Sequence, residues 1–218
     1  MAVSRARGQH AGLSRDAILE AAVRLVDRQG LAALSMRQLG AELGVEAMAL
    51  YHHIPNKSAL LDGMVERVVA EASPPDFDGS SWSEGLRDYA RSLLRALEAH
   101  PDLVPLFMSR PAMTPRNLRA MEAMLGALCA AGFEPRRALD VVYSLTGFVL
   151  GHVAVQRQIE EAGPDGGAGG AARLSGVPAD VHPLLSRAAR DERPSGTASR
   201  FDFALDALLA GFDAARGV

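Results

Sequence analysis

The chain has 218 residues, 48% of them apolar, and a formal net charge of −3. That length suits one large domain or a small one joined to a larger one, and no apolar run reaches the roughly 18 residues that span a bilayer. Cys129 is the only cysteine, which excludes an internal disulfide and a cysteine-built zinc site. No apolar stretch follows the N-terminal arginines, so no secretory signal is expected; a cytoplasmic location without a membrane partner is.

Charge is unevenly placed. Residues 1–57 carry seven basic groups (Arg5, Arg7, Arg15, Arg24, Arg28, Arg37, Lys57) against five acids (Asp16, Glu20, Asp27, Glu42, Glu46). A mildly basic head on an acidic body suits a protein whose head alone meets a polyanion. Residues 1–13 hold Arg5, Arg7 and His10 with glycines and no acid. They read as a flexible start or as an arm that follows phosphates or enters a minor groove.

Ser14 then matches an N-cap, with Leu13 and Ile18 placed as a hydrophobic staple. Ile18, Ala22, Leu25 and Val26 keep helical spacing until Gly30 ends the helix. Ser35 and Gln38 have capping-box spacing, with Leu34 and Leu39 as the staple. Leu39, Leu43, Val45 and Leu50 are spaced to bury one side of two short helices joined at Gly44, where the turn calls for a positive φ. Ala47, Met48, Tyr51 and His52 remain outside, a set suited to a major groove. The stretch reads as a helix-turn-helix. Pro55 breaks the pattern after His53, and Asn56 can cap the next helix, which carries Leu60, Leu61, Met64, Val65 and Val68. Lys57, the only lysine in the chain, falls in that helix's first turn, where amides and dipole favour an anion. It reads as a phosphate contact or a solvated charge.

Residues 14–72 resemble the DNA-binding domain of the tetracycline-repressor (TetR) family of transcriptional regulators. The carriers are Ala17 to Ala22, Gly30-Leu31, Leu34 to Leu39, Leu43-Gly44-Val45, Leu50 to His53 and Asn56 to Asp62. The resemblance implies DNA contacts from Ser35, Arg37, Ala47, Met48, Tyr51, His52, His53 and Lys57. Arg37, Tyr51, His52 and Lys57 would meet phosphates and Ala47 and Met48 base edges or thymine methyls, while His53 could do either.

The second part opens on a turn and cap, Asp78 to Trp82, and runs as successive helices. Trp82, Leu86, Tyr89, Leu93, Leu94 and Leu97 mark one face of the first. A short apolar piece, 103–108, precedes helices over 115–131 and 135–160. The longer one is apolar over most of its girth, so it must be buried on more than one side; one side can face its own core and the other a second subunit. Gly147 and Gly151 would permit close helix approach. Residues 161–178 form a glycine-rich flexible loop, without the strand or the Lys-Ser/Thr of a phosphate-binding loop. Helices near 181–190 and over 198–215 complete the chain.

Residues 78–218 are similar, more weakly, to the C-terminal domain of the tetracycline repressors, through Trp82, Ser109-Arg110-Pro111, Gly132-Phe133, Leu150-Gly151 and the Leu208-to-Phe212 run. The resemblance implies a homodimer through helices 135–160 and 198–215, and a pocket lined by Tyr89, Leu93, Leu106, Met121, Met124, Leu125, Leu139, Val142, Tyr143 and Thr146. Where those repressors hold a metal–drug chelate, this chain has Ser73, Leu106, Val155, Tyr89 and Met124. A metal and cofactor are therefore not expected, and the ligand should be more apolar. His152 is a polar pocket group or an interface histidine.

The expected fold is all-α: a three-helix helix-turn-helix domain joined by a connecting helix to a larger ligand-binding and dimerisation domain. The expected function is ligand-responsive transcriptional regulation, by a repressor that binds a palindromic operator as a homodimer and is released by a small, largely apolar inducer. An activator or ligand-independent DNA binder of the same fold is the near alternative. A helical enzyme is the distant one. Adjacent His52 and His53 diverge by about 100° on a helix and cannot easily share an ion. His100, His152 and His182 lack a metal-site pattern, and no Gly-x-Ser-x-Gly or His-Glu-x-x-His occurs. Alanine and arginine richness with one lysine fits a GC-rich bacterial genome.

Overall fold

The computed structural model describes residues 13–72, 77, 81–110, 114–162, 176–191 and 197–216. The N-terminal arm apart from Leu13, Ser73, residues 78–80 of the turn before Ser81, Pro111 and most of the glycine-rich loop lie outside them. All regular structure among the described residues is helical: α1 (Arg15–Gln29), α2 (Met36–Leu43), α3 (Ala47–Tyr51), α4 (Lys57–Val69), α5 (Trp82–Ala99), α6 (Val104–Ser109), α7 (Pro115–Ala130), α8 (Pro135–Glu161), α9 (Pro183–Asp191) and α10 (Thr197–Ala214).

Side-chain caps set three of the starts in the head. Ser14 Oγ accepts from the Ala17 amide at 3.1 Å, Ser35 Oγ from Gln38 at 3.1 Å and Asn56 Oδ1 from Ala59 at 2.8 Å. Each satisfies a donor that the first helical turn leaves without an intrahelical partner. The second half of the expected box at Ser35 does not form. Gln38 Nε2 instead donates to Gln29 Oε1 at 3.0 Å, tying α2 to the end of α1. A full capping box does form at Ser81 and Glu84, where α5 begins.

Two glycines shape the motif. Gly44 ends α2 in the left-handed region, at φ 67°. Gly40 lies where α2 closely approaches the turn and the start of α3: a Cβ there would lie 2.8 Å from Val45 O and 3.2 Å from the Ala47 nitrogen. The spacing of apolar residues does not reveal that role.

Two cores form along the helix faces. The first gathers Ile18, Leu25, Leu34, Leu39, Leu50, Leu60 and Met64 from the head, and also Ala96, Leu103 and Leu106 from α5, α6 and the turn between them. Leu13 packs on the same cluster as Ile18, consistent with the staple. The second gathers Leu86, Leu93, Leu97, Met124, Leu128, Val142, Leu145, Val149, Phe201, Leu205 and Leu209 from α5, α7, α8 and α10. Because Leu106 belongs to the first core, the head and the second part share buried apolar surface.

α8 holds no unbroken apolar run of membrane-spanning length. Counted over a window rather than as an unbroken run, it is long and apolar enough to cross a bilayer, with a mean hydropathy of 1.6. Here one face, Ala138, Val141, Val142, Leu145, Val149 and Val153, is buried in the second core.

Candidate nucleic-acid interface and ligand chamber

α3 projects from the head because Leu50 is fully buried while its neighbours are not. Met48 is 72% exposed and Tyr51 41% exposed, and His52, His53, Ser35 and Arg37 are exposed beside them. Ala47 differs from expectation: it is half-buried and packs on the core, at the close approach to Gly40. It spaces the two helices as much as it faces outward.

Ion pairing decides which cations are available. Arg15 pairs with Glu66 at 3.2 Å, Arg28 with Glu42 at 2.7 Å, and both Arg24 and Arg67 with Glu20. Among the described residues of the head, Arg37 is the arginine with no carboxylate partner. Lys57 is partly committed: its Nζ donates to Leu34 O at 2.8 Å, fastening the start of α4 to the segment before α2. An ammonium has two further donors, so this does not bar a phosphate. It makes Lys57 a fastening of the motif first. Glu46, which precedes α3, was passed over in the sequence; a carboxylate there could accept from cytosine N4.

The second part holds a chamber between α4, α5, α7 and α8, in two adjoining lobes of about 290 and 200 Å³. Tyr89 and Met124 line both lobes, and Met121, Val142, Tyr143 and Thr146 line the smaller. Six of the ten expected lining residues therefore meet there. The other four do not line it. Leu93 is buried in the second core and Leu106 in the first, while Leu125 packs against the second and Leu139 is half-buried on α8. Thr146 is a poorer donor than expected, since its Oγ1 already donates to Val142 O at 2.8 Å. Burial pushes the Tyr89 hydroxyl above its ordinary pKa of 10.0, so it stays protonated.

The sequence reading missed the chamber's polar wall. Asn117 is 7% exposed and lines both lobes, and its Nδ2 has no hydrogen-bond partner. A buried amide donor without a partner is rare and calls for an explanation. Arg110, noted only as a carrier of resemblance, lines the smaller lobe and reaches α4: its Nη1 donates to Asp62 Oδ1 at 2.7 Å and Ser58 Oγ at 2.9 Å. A second joint lies at His100, whose ring nitrogens contact Asp27 of α1 at 3.0 Å and Glu71 beyond α4 at 3.1 Å.

His152 lies away from the chamber wall, between α8 and α10, with its ring centroid 5.0 Å from that of Phe201. Its Nε2 is buried without a partner. Desolvation lowers its pKa from the ordinary 6.5, opposed by Glu98. The fold therefore favours the neutral ring, and this contribution to stability is whole above about pH 6.5 and declines as pH falls below it. Denaturation midpoints measured from pH 7.5 to 5 should fall less steeply for His152→Phe than for the wild type. Equal slopes would remove His152 from the pH dependence.

Fold and site together define a helix-turn-helix protein with a second, chamber-bearing helical domain. The comparisons with known proteins give its family. Residues 18–64 match the description "Bacterial regulatory proteins, tetR family", and residues 74–216 match "Tetracyclin repressor-like, C-terminal domain". The transcriptional repressor DrrR1 of Streptomyces coeruleorubidus is 34% identical over 72% of this chain and 58% of its own length, so this chain spans under two thirds of that relative. The class E tetracycline repressor of Escherichia coli is 31% identical over 94% of this chain and 92% of its own. The crystal structure of apo ActR from Streptomyces coelicolor superposes with a TM-score of 0.80 at 28% identity, covering 96% of this chain and 99% of that one. The chain belongs to the TetR family of bacterial transcriptional regulators, whose members bind operator DNA and small-molecule ligands and are not enzymes.

Proposed function

We propose that this protein is a cytoplasmic repressor that binds a palindromic operator as a homodimer and is released by a small, largely apolar molecule held in the chamber. The observation that carries this reading is Arg110. It lines the chamber and is bonded to Ser58 in the first turn of α4 and to Asp62 one turn on, and that first turn also bears Lys57 and its bond to the reading motif. A ligand that displaces Arg110 changes how the head is held, and so shifts the population between arrangements that fit two half-sites and arrangements that do not.

In this reading α3 enters the major groove. Met48 and Ala47 meet base edges, Arg37, Tyr51 and His52 meet phosphates with Ser35 and His53 beside them, and Lys57 braces the motif while lending a charge. Dimerisation through α8 and α10 is supported by the apolar residues those helices leave outside the single chain: Val155 at 55% and Phe203 at 78% exposure. ActR, whose fold this chain shares, has been crystallised in complex with actinorhodin. That supports an organic ligand here.

Ligand and operator should weaken each other's binding by the same factor, because coupling between two sites is reciprocal. Titrating labelled operator with protein, with and without a compound shown to bind, tests this. An unchanged operator affinity at saturation, for each compound that binds, would sink the regulatory reading.

A further inference from the structure

The chamber's apolar wall is adaptable: Met121, Met124, Phe107 and Val142 set a size limit but little shape preference. Its polar groups are more selective. Arg110 borders the smaller lobe and Arg116 the larger, and Asn117 lines both with its Nδ2 buried and without a partner. Tyr89 adds a hydroxyl that stays protonated. No aspartate or glutamate lines either lobe among the described residues. The nearby acid, Asp62, lies on α4 and is bonded to Arg110.

We infer that the chamber takes an apolar organic acid: an apolar body bearing a carboxylate or phenolate that is held by Arg110 and Asn117. A charge-assisted hydrogen bond is roughly twice as strong as a neutral one, and an acid would give the orphaned amide its acceptor. A cation of the same shape would meet no carboxylate on either lobe's wall among the described residues, and the nearby Asp62 is already engaged by Arg110. The acid also competes with Asp62 for Arg110, so the group that recognises the ligand is the group that holds α4. This deepens the regulatory reading and rests on it for its biological meaning. The binding preference itself does not depend on DNA.

The test is a fluorescence titration of the full chain with three matched probes: 9-anthracenecarboxylate, 9-methylanthracene and 9-(aminomethyl)anthracene. The carboxylate should bind at least about 10-fold tighter than the amine, with the neutral probe between them. Arg110→Gln and Asn117→Leu should each remove most of that preference, and Arg110→Lys should retain part of it. Circular dichroism identifies which variants are folded, and Asn117→Leu carries the test if Arg110→Gln is not. An amine that binds as tightly as the carboxylate, a carboxylate that does not bind, or a preference unchanged in the folded variants overturns the inference. Operator binding by the ligand-free protein is measured separately. The expected probe ranking without any effect on DNA would overturn the regulatory reading and leave the ligand class standing.

Discussion

Gly40→Val is expected to abolish operator binding while leaving most of the second domain folded. A Cβ at this position would lie 2.8 Å from a backbone carbonyl of the turn, and backbone cannot swing aside as a side-chain end can. Overpacking of this kind costs about 1–3 kcal/mol, and the larger valine belongs at the upper end. Gly40→Ala gains up to about 1 kcal/mol of helix propensity, which offsets part of its own clash. The alanine variant should therefore show the smaller stability loss, yet still displace α3 relative to α2. Denaturant midpoints for both variants, read beside operator affinity, check this. A Gly40→Val protein with wild-type operator affinity would mean that the α2–α3 approach does not set the reading geometry.

The second large effect belongs to Arg37 and Tyr51. Arg37 has no carboxylate partner among the described residues of the head, whereas Arg15, Arg24, Arg28 and Arg67 are each paired. Two hydrogen bonds to charged phosphates contribute about 1.5–3 kcal/mol each, so Arg37→Ala with Tyr51→Ala should weaken operator binding by about 100-fold or more. The loss should be similar across operator sequences, and the salt dependence should become shallower, since fewer counterions are released. Arg28→Ala is the contrasting control. It breaks an intramolecular pair at 2.7 Å and should change stability more than DNA affinity. If the control weakens DNA binding as much as the double variant, pairing does not determine which cations are free for phosphate.

Much of the head could be read from local spacing. Ser14, Ser35 and Asn56 cap the helices they precede, Gly44 takes the turn, and Leu39 and Leu50 are buried. These features depend on partners a few residues away, which is the range over which helical periodicity carries information. The features that were missed depend on contacts at longer range. Gln38 bonds Gln29 instead of its own cap, and Lys57 bonds Leu34, 23 residues earlier in the chain. Leu106, which the resemblance puts in the pocket, is claimed by the head's core, because α6 packs beside α4.

The polar wall was illegible for a related reason. Asn117 and Arg110 are types usually found at the surface, and only the tertiary arrangement of α4, α7 and α8 turns them inward. Their neighbours Met121, Met124, Val142 and Tyr143 were legible only through the resemblance to the tetracycline repressors, since helical spacing alone reads them as core.

Whether α3 and its flanking residues read DNA is decided by a selection of random duplexes with the purified protein, repeated with Arg37→Ala and Tyr51→Ala in the same chain. The wild type is expected to enrich one palindromic sequence, and the double variant to lose it while keeping its helical content. No enriched sequence from protein freed of bound ligand by unfolding and refolding, or equal enrichment by the double variant, would contradict a DNA-reading role for this motif.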